Sequence, residues 1–100
     1  MKIRTIAFQL KEREEYIEFT NYDNVDDILI FNEVMERLKQ LPDVVVGRKR
    51  IGPWEDYYIC KLDGNEFTVY YDIDYGDVTI YAESKMVRDR IFTLFSEECL

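Results

Sequence analysis

The sequence predicts an α+β two-layer sandwich: a mostly antiparallel sheet of five to six strands in the order β-β-α-β-β-β-β-α, with two helices packed on one face. Three observations predict it. Apolar residues recur at helical spacing after Asn24 and again after Ser84; between Val44 and Glu83 the period falls to two; and the connections inside that stretch are of hairpin length. No repeat, low-complexity tract or Pro/Gly/Ser-rich linker interrupts the chain, so residues 1–100 read as a single domain.

Residues 2 to 10 place Ile6, Phe8 and Leu10 on one side with period two, and Glu15 to Thr20 do the same with Ile17 and Phe19. Two strands joined by a charged turn follow from that pattern. The good helix formers Lys11 to Glu15 support a helix over residues 11–20 as the alternative. Asn24 is placed to cap a helix by accepting from the amide of Asp27, with Asp26 and Asp27 favoured by the dipole in its first turn. Ile28, Phe31, Met35 and Leu38, widened by Val34 and Leu41, form its buried stripe. Glu33, Glu36, Arg37 and Lys39 cover the opposite side, and Pro42 ends the helix near Gln40.

Three turn signals, Gly52-Pro53, Asp63-Gly64-Asn65 and Tyr75-Gly76-Asp77, then cut the chain into strands over 44–51, 56–62, 66–73 and 77–83. These pieces are rich in β-branched and aromatic residues, which suit a pleated, half-buried surface. Ser84 caps a closing helix whose stripe is Val87, Ile91, Leu94 and Phe95 and which breaks up around Glu97 and Glu98.

Composition narrows function more than it identifies it. Thirteen Lys and Arg against twenty-one Asp and Glu give a net charge of −8, a field that opposes contacts with nucleic-acid phosphates. There is no histidine, which removes Ser-His-Asp and Cys-His triads, His-ligated zinc and imidazole acid/base chemistry. The longest apolar run is four residues, Ile28 to Phe31, whereas a membrane-spanning helix needs ~20. Met1-Lys2-Ile3-Arg4 imitates the start of a secretory signal, but Lys11 to Glu15 interrupt it and the segment reads as structure. Cys60 and Cys99, 39 residues apart without a Cys-x-x-Cys pairing, fit two unlinked thiols in a cytoplasmic protein better than a disulfide.

Charge is not spread evenly. Residues 55–83 carry eight acids and one base, Lys61, while the first fifty residues hold nine basic and ten acidic side chains. If Phe67, Val69, Tyr71 and Ile73 face the helices together with Val78, Ile80 and Ala82, alternation sends Glu66, Thr68, Tyr70, Asp72, Asp74, Thr79, Tyr81 and Glu83 to the other side. That side is phenols among carboxylates, a combination suited to docking a positively charged protein. Tyr57, Tyr70, Asp72, Asp74, Tyr81 and Glu83 are the expected contact residues, with Tyr58 replacing Tyr57 if the register differs by one. The plainer account makes Tyr70 and Tyr81 a cross-strand pair on a solvated face, or folds the N-terminal hairpin over them.

Other chemistry fits less well. Asp72 to Asp77 with Glu83 imitates a calcium loop, but the glycine is one place early and a strand follows where a helix should. Asp72 or Asp74 with Glu83 and Lys85 has the order used by metal-dependent phosphodiester hydrolases. Arg48-Lys49-Arg50 reads as protection of an edge strand, and Trp54 either closes the core over its turn or anchors a partner at the rim of the acidic face. No motif assigns a family. In its small, acidic, tyrosine-rich and histidine-free character the chain is similar to bacterial immunity proteins and to other inhibitors that present acids to a basic nucleic-acid groove. The resemblance implies a non-catalytic cytoplasmic binder of a basic protein such as a nuclease toxin, without metal or cofactor, acting as a monomer or weak homodimer; a structural or homo-oligomeric domain is the further alternative.

Overall fold

The computed structural model describes residues 3–96. Within them the chain forms β1 (Ala7–Phe8), β2 (Tyr16–Phe19), α1 (Asp27–Lys39), β3 (Val44–Ile51), β4 (Glu55–Leu62), β5 (Asn65–Asp72), β6 (Val78–Tyr81) and α2 (Lys85–Leu94). All strand pairs are antiparallel, in the order β1-β2-β6-β5-β4-β3. The expected sandwich is therefore present, and residues 11–20 contribute a strand, not a helix.

One core holds the two layers together. Ile30, Phe31, Val34, Met35 and Leu38 of α1 and Val87 and Ile91 of α2, with Phe95 just beyond it, pack on Ile17, Cys60, Leu62, Phe67, Val69, Val78 and Ile80. These strand residues share one parity in the register: Val69 lies opposite Ile80, Ile80 opposite Ile17, and Cys60 opposite Phe67. Both helices therefore cover one face. Phe31 lies against the rings of Tyr71 (5.5 Å) and Tyr58 (5.8 Å), which fixes Tyr58 inward and Tyr57 outward.

Several local expectations are corrected. In the N-terminal segment Ile3 and Thr5 are buried and Ala7 packs on the core, while Phe8 and Leu10 are exposed. The alternating pattern is right but its phase is off by one residue. Asn24 adopts a positive φ of 50° and does not cap α1; Asp26 occupies that position without a side-chain bond. The turn is organised by Asn21, which accepts from the Val25 amide and donates to its carbonyl. Arg37, expected on the solvent side, is buried with its guanidinium 4.9 Å from the Phe95 ring centre and 3.9 Å from Glu33. The strand expected to reach Ile73 stops at Asp72, and Ile73 is exposed because the chain there has already entered its turn. Ser84 does cap α2, accepting from the Val87 amide at 3.4 Å. The expected fraying at Glu97 and Glu98, and Cys99, lie outside the described residues. No helix among them is long and apolar enough to cross a membrane.

Candidate docking face

The side of the sheet opposite the helices is built in rows. Arg50, Tyr57, Tyr70, Thr79 and Glu18 lie side by side across β3, β4, β5, β6 and β2; Ile59, Thr68, Tyr81 and Tyr16 form the next row; Glu55 and Asp72 pair at one end. Strand alternation makes this arrangement obligatory once Val69 and Ile80 are in the core. Among the described residues no helix or further strand lies over it. The N-terminal hairpin, instead of folding across these side chains, extends the sheet by pairing β2 with β6.

That pairing also decides the aromatic contacts. Tyr70 and Tyr81 are not cross-strand partners. Tyr70 stands opposite Thr79 and packs on Tyr57 with ring centres 5.7 Å apart, while Tyr81 packs on Tyr16 at 5.1 Å. The six residues singled out from the sequence fall into two groups and a rim position. Tyr57, Tyr70 and Asp72 stand near one end of the face. Tyr81 and Glu83 stand near the other, the phenol donating to Glu83 Oε1 at 2.9 Å. Asp74 is exposed in the β5–β6 turn beyond the sheet, its amide donating to Asp72 Oδ1 at 2.9 Å.

A groove of about 350 Å³ runs along the first group, lined by Arg13, Tyr16, Glu18, Glu55, Tyr70, Asp72, Asp77 and Thr79. Among the described residues four carboxylates thus face one cation. Arg13 was not foreseen here: its guanidinium lies 4.2 Å from the Tyr16 ring centre and 4.0 Å from Glu18. Glu18 also accepts from the Thr79 hydroxyl at 3.0 Å. Tyr16 and Glu18 carry the polar side of a strand already legible in the sequence; what the sequence lacks is a local signal that this strand lies beside β6. A second depression of about 260 Å³ involves Glu66, Thr68, Tyr81, Glu83 and Ser84.

The phenols respond to these surroundings. Partial burial pushes the Tyr70 hydroxyl above its ordinary titration range, reinforced by the charge of Glu55. For Tyr81 the leading cause is the hydrogen bond to Glu83, which a phenolate could not donate. Cys60, on the helix side, is buried without a disulfide, and burial raises its thiol to about 11, so it behaves as a small core residue.

The hydrolase constellation is not assembled. Asp77 sits beside Asp72, and Glu83 lies six residues further along the same strand direction, a separation of roughly 20 Å at 3.4 Å per residue. Lys85 points its ammonium at Asp89, 2.9 Å away, one helical turn on. The calcium-loop resemblance is likewise a turn: Asp72 Oδ1 accepts the amides of Asp74 and Tyr75, and Gly76 supplies the positive φ of 73°. Among the described residues no group of three or more carboxylates or thiols is arranged to hold a metal ion. Of the two places open to Trp54, closing the core or standing at the rim of the acidic face, it does not take the first: it is 68% exposed in the turn before β4. No family model, curated protein or solved structure matches the chain.

Proposed function

We propose that this chain is a non-catalytic binding domain of the inhibitor or immunity type, which docks a basic protein surface through the open face of its sheet. The observation that carries the reading is the groove of carboxylates and phenols on a side that no element among the described residues covers. Carboxylates raise the encounter rate with a positively charged partner, and rigid phenols provide contact area and hydrogen bonds at low entropic cost. Tyr57, Tyr70 and Asp72 would form the centre of the contact, Tyr81 and Glu83 its second part, and Asp74 its rim. Arg13 adds a positive charge inside an otherwise negative groove and so sets the alignment of an incoming cation.

The partner class that fits is a protein with a basic nucleic-acid-binding groove, such as a nuclease toxin, met in the cytoplasm. The domain would act as a monomer or weak homodimer, because a two-fold contact through this face would bring like charges together. The test is capture of a partner on the immobilised protein, elution with salt, and stopped-flow measurement with the purified pair. The association rate should fall steeply between low and physiological salt, and Asp72→Asn with Asp74→Asn should slow association while the circular dichroism spectrum stays unchanged. Association indifferent to salt would remove the reading.

A further inference from the structure

At one end of the sheet, the neighbouring β3–β4 and β5–β6 turns carry three large side chains that the core does not use. Trp54 is 68% exposed, Ile73 47% and Tyr75 80%. The two turns are tied to each other: the Ile73 amide donates to the Trp54 carbonyl at 3.0 Å, and Glu55 lies opposite Asp72. Each is also closed on itself. Gly52 donates to the Glu55 carbonyl at 2.8 Å; Gly76 donates to the Asp72 carbonyl at 2.8 Å, Asp72 to the Asp77 carbonyl at 2.9 Å, and Asp72 Oδ1 holds the amides of Asp74 and Tyr75. The backbone of both turns is thus held by short-range bonds, so little backbone ordering remains to be done on binding.

Exposed apolar and aromatic side chains on adjoining turns offer a partner contact area, and aromatic anchors concentrate binding energy. The charge around them selects what can approach. Residues 51–57 and 72–78 contain Glu55, Asp56, Asp72, Asp74 and Asp77 and no cation, and with Lys49 and Arg50 of β3 and Arg13 of the groove alongside, the acids remain in excess. Only Asp56 among these is paired with a lysine, Lys49 at 3.8 Å. We infer that this sheet end is the anchor of the docking surface, with Trp54 as its principal contact, and that its occupant is an apolar side chain flanked by arginines or lysines on the basic partner. The inference rests on the proposed reading of the adjoining face and places the strongest contact outside the six residues of that face.

Trp54 is the sole tryptophan, so its emission reports occupancy of the anchor directly. The full chain would be titrated at low ionic strength with three labelled peptides: alternating Arg-Leu, alternating Arg-Gly of equal charge, and alternating Glu-Leu. The Arg-Leu peptide should shift Trp54 emission to the blue and bind about tenfold tighter than Arg-Gly by anisotropy, while Glu-Leu leaves the emission unmoved. Trp54→Ala should lower Arg-Leu affinity to that of Arg-Gly, whereas Met86→Ala, which trims an exposed apolar side chain on α2, should not. Equal binding of the two arginine peptides with Trp54 emission unmoved would overturn the anchor while leaving the charged face in place. Binding of neither would overturn both. A shift with Glu-Leu equal to that with Arg-Leu, or a doubled sedimentation mass abolished by Trp54→Ala, would also overturn it, the latter by showing that a second copy of the chain fills the site.

Discussion

Asp72 combines two tasks in one side chain. Its Oδ1 accepts two amides of the β5–β6 turn, and its position beside Glu55 and Tyr70 puts its charge in the groove. Asparagine keeps the acceptor and loses the charge; alanine loses both. Asp72→Asn is therefore expected to leave thermal stability near that of the parent, and Asp72→Ala to cost about 1 kcal/mol, the scale of a lost turn hydrogen bond, in urea unfolding. The Tyr81 phenol offers a second check. Because its bond to Glu83 raises its titration above the ordinary value of 10.0, the folded state holds that proton more tightly than the unfolded chain. The resulting stabilisation is intact below the unfolded value and is lost as pH rises through the higher folded one. In Glu83→Gln the Tyr81 transition, followed as tyrosinate absorbance against a Tyr81→Phe control, should move back toward lower pH.

Two elements depend on groups whose role no local pattern announces. In β3 the pairing slips between Val46 and Lys49, and Gly47 sits at that irregularity, where a Cβ would collide with the Ile59 carbonyl oxygen. Gly47→Ala should force β3 away from β4 and cost about 1–3 kcal/mol, read as a lower midpoint in denaturant. In α1 the buried Arg37 stacks on Phe95 but leaves Nη1 without a hydrogen-bond partner among the described residues. An unpaired buried donor is expensive, so the double change Arg37→Met with Glu33→Gln, which keeps the aliphatic packing and removes both charges of the pair, is expected to match or exceed the parent's melting temperature. A fall of several degrees would show that the guanidinium itself holds α1 against the end of α2. The helical layer is further clasped to the residue just before β3 by Arg90, which donates from both terminal nitrogens to Asp43 at 2.9 and 3.1 Å. That bond depresses the Asp43 carboxyl, so its contribution is present above the ordinary carboxylate range and disappears as pH falls through the lowered value.

For the whole molecule, the decisive feature is a division of labour between the sheet's two sides. Apolar residues of one parity build the core with both helices, and the other parity is left with phenols, carboxylates and a few cations. Under the proposed docking, the groove's surplus of carboxylates would make salt the main experimental lever on encounter, while the apolar sheet end would govern residence time. Arg13→Ala removes the one cation that lines the groove among the described residues and is expected to speed association with a basic partner severalfold at low salt, the difference shrinking as salt screens it. Rates measured by stopped flow at two ionic strengths would check this.

Helix stripes and turn dipeptides are local, and they were legible: α1 ends where Pro42 requires, Ser84 caps α2, and Asp63-Gly64 turns between β4 and β5 with φ of 51° and 81°. Alternation likewise assigned Tyr70, Tyr81 and Thr79 to the side away from Val69 and Ile80, while the choice between Tyr57 and Tyr58 waited on the register of β4. The N-terminal strand was misread because β1 pairs over only two residues, too few for Ile6, Phe8 and Leu10 to be told from Ile3, Thr5 and Ala7 by pattern alone. Strand order, the arrival of Tyr16, Glu18 and Arg13 beside β6, the burial of Arg37 and the exposure of Trp54 were decided only in three dimensions. Each is a contact between residues far apart in the chain, set by which surfaces pack most favourably together, whereas periodicity records only which side of its own element a residue occupies.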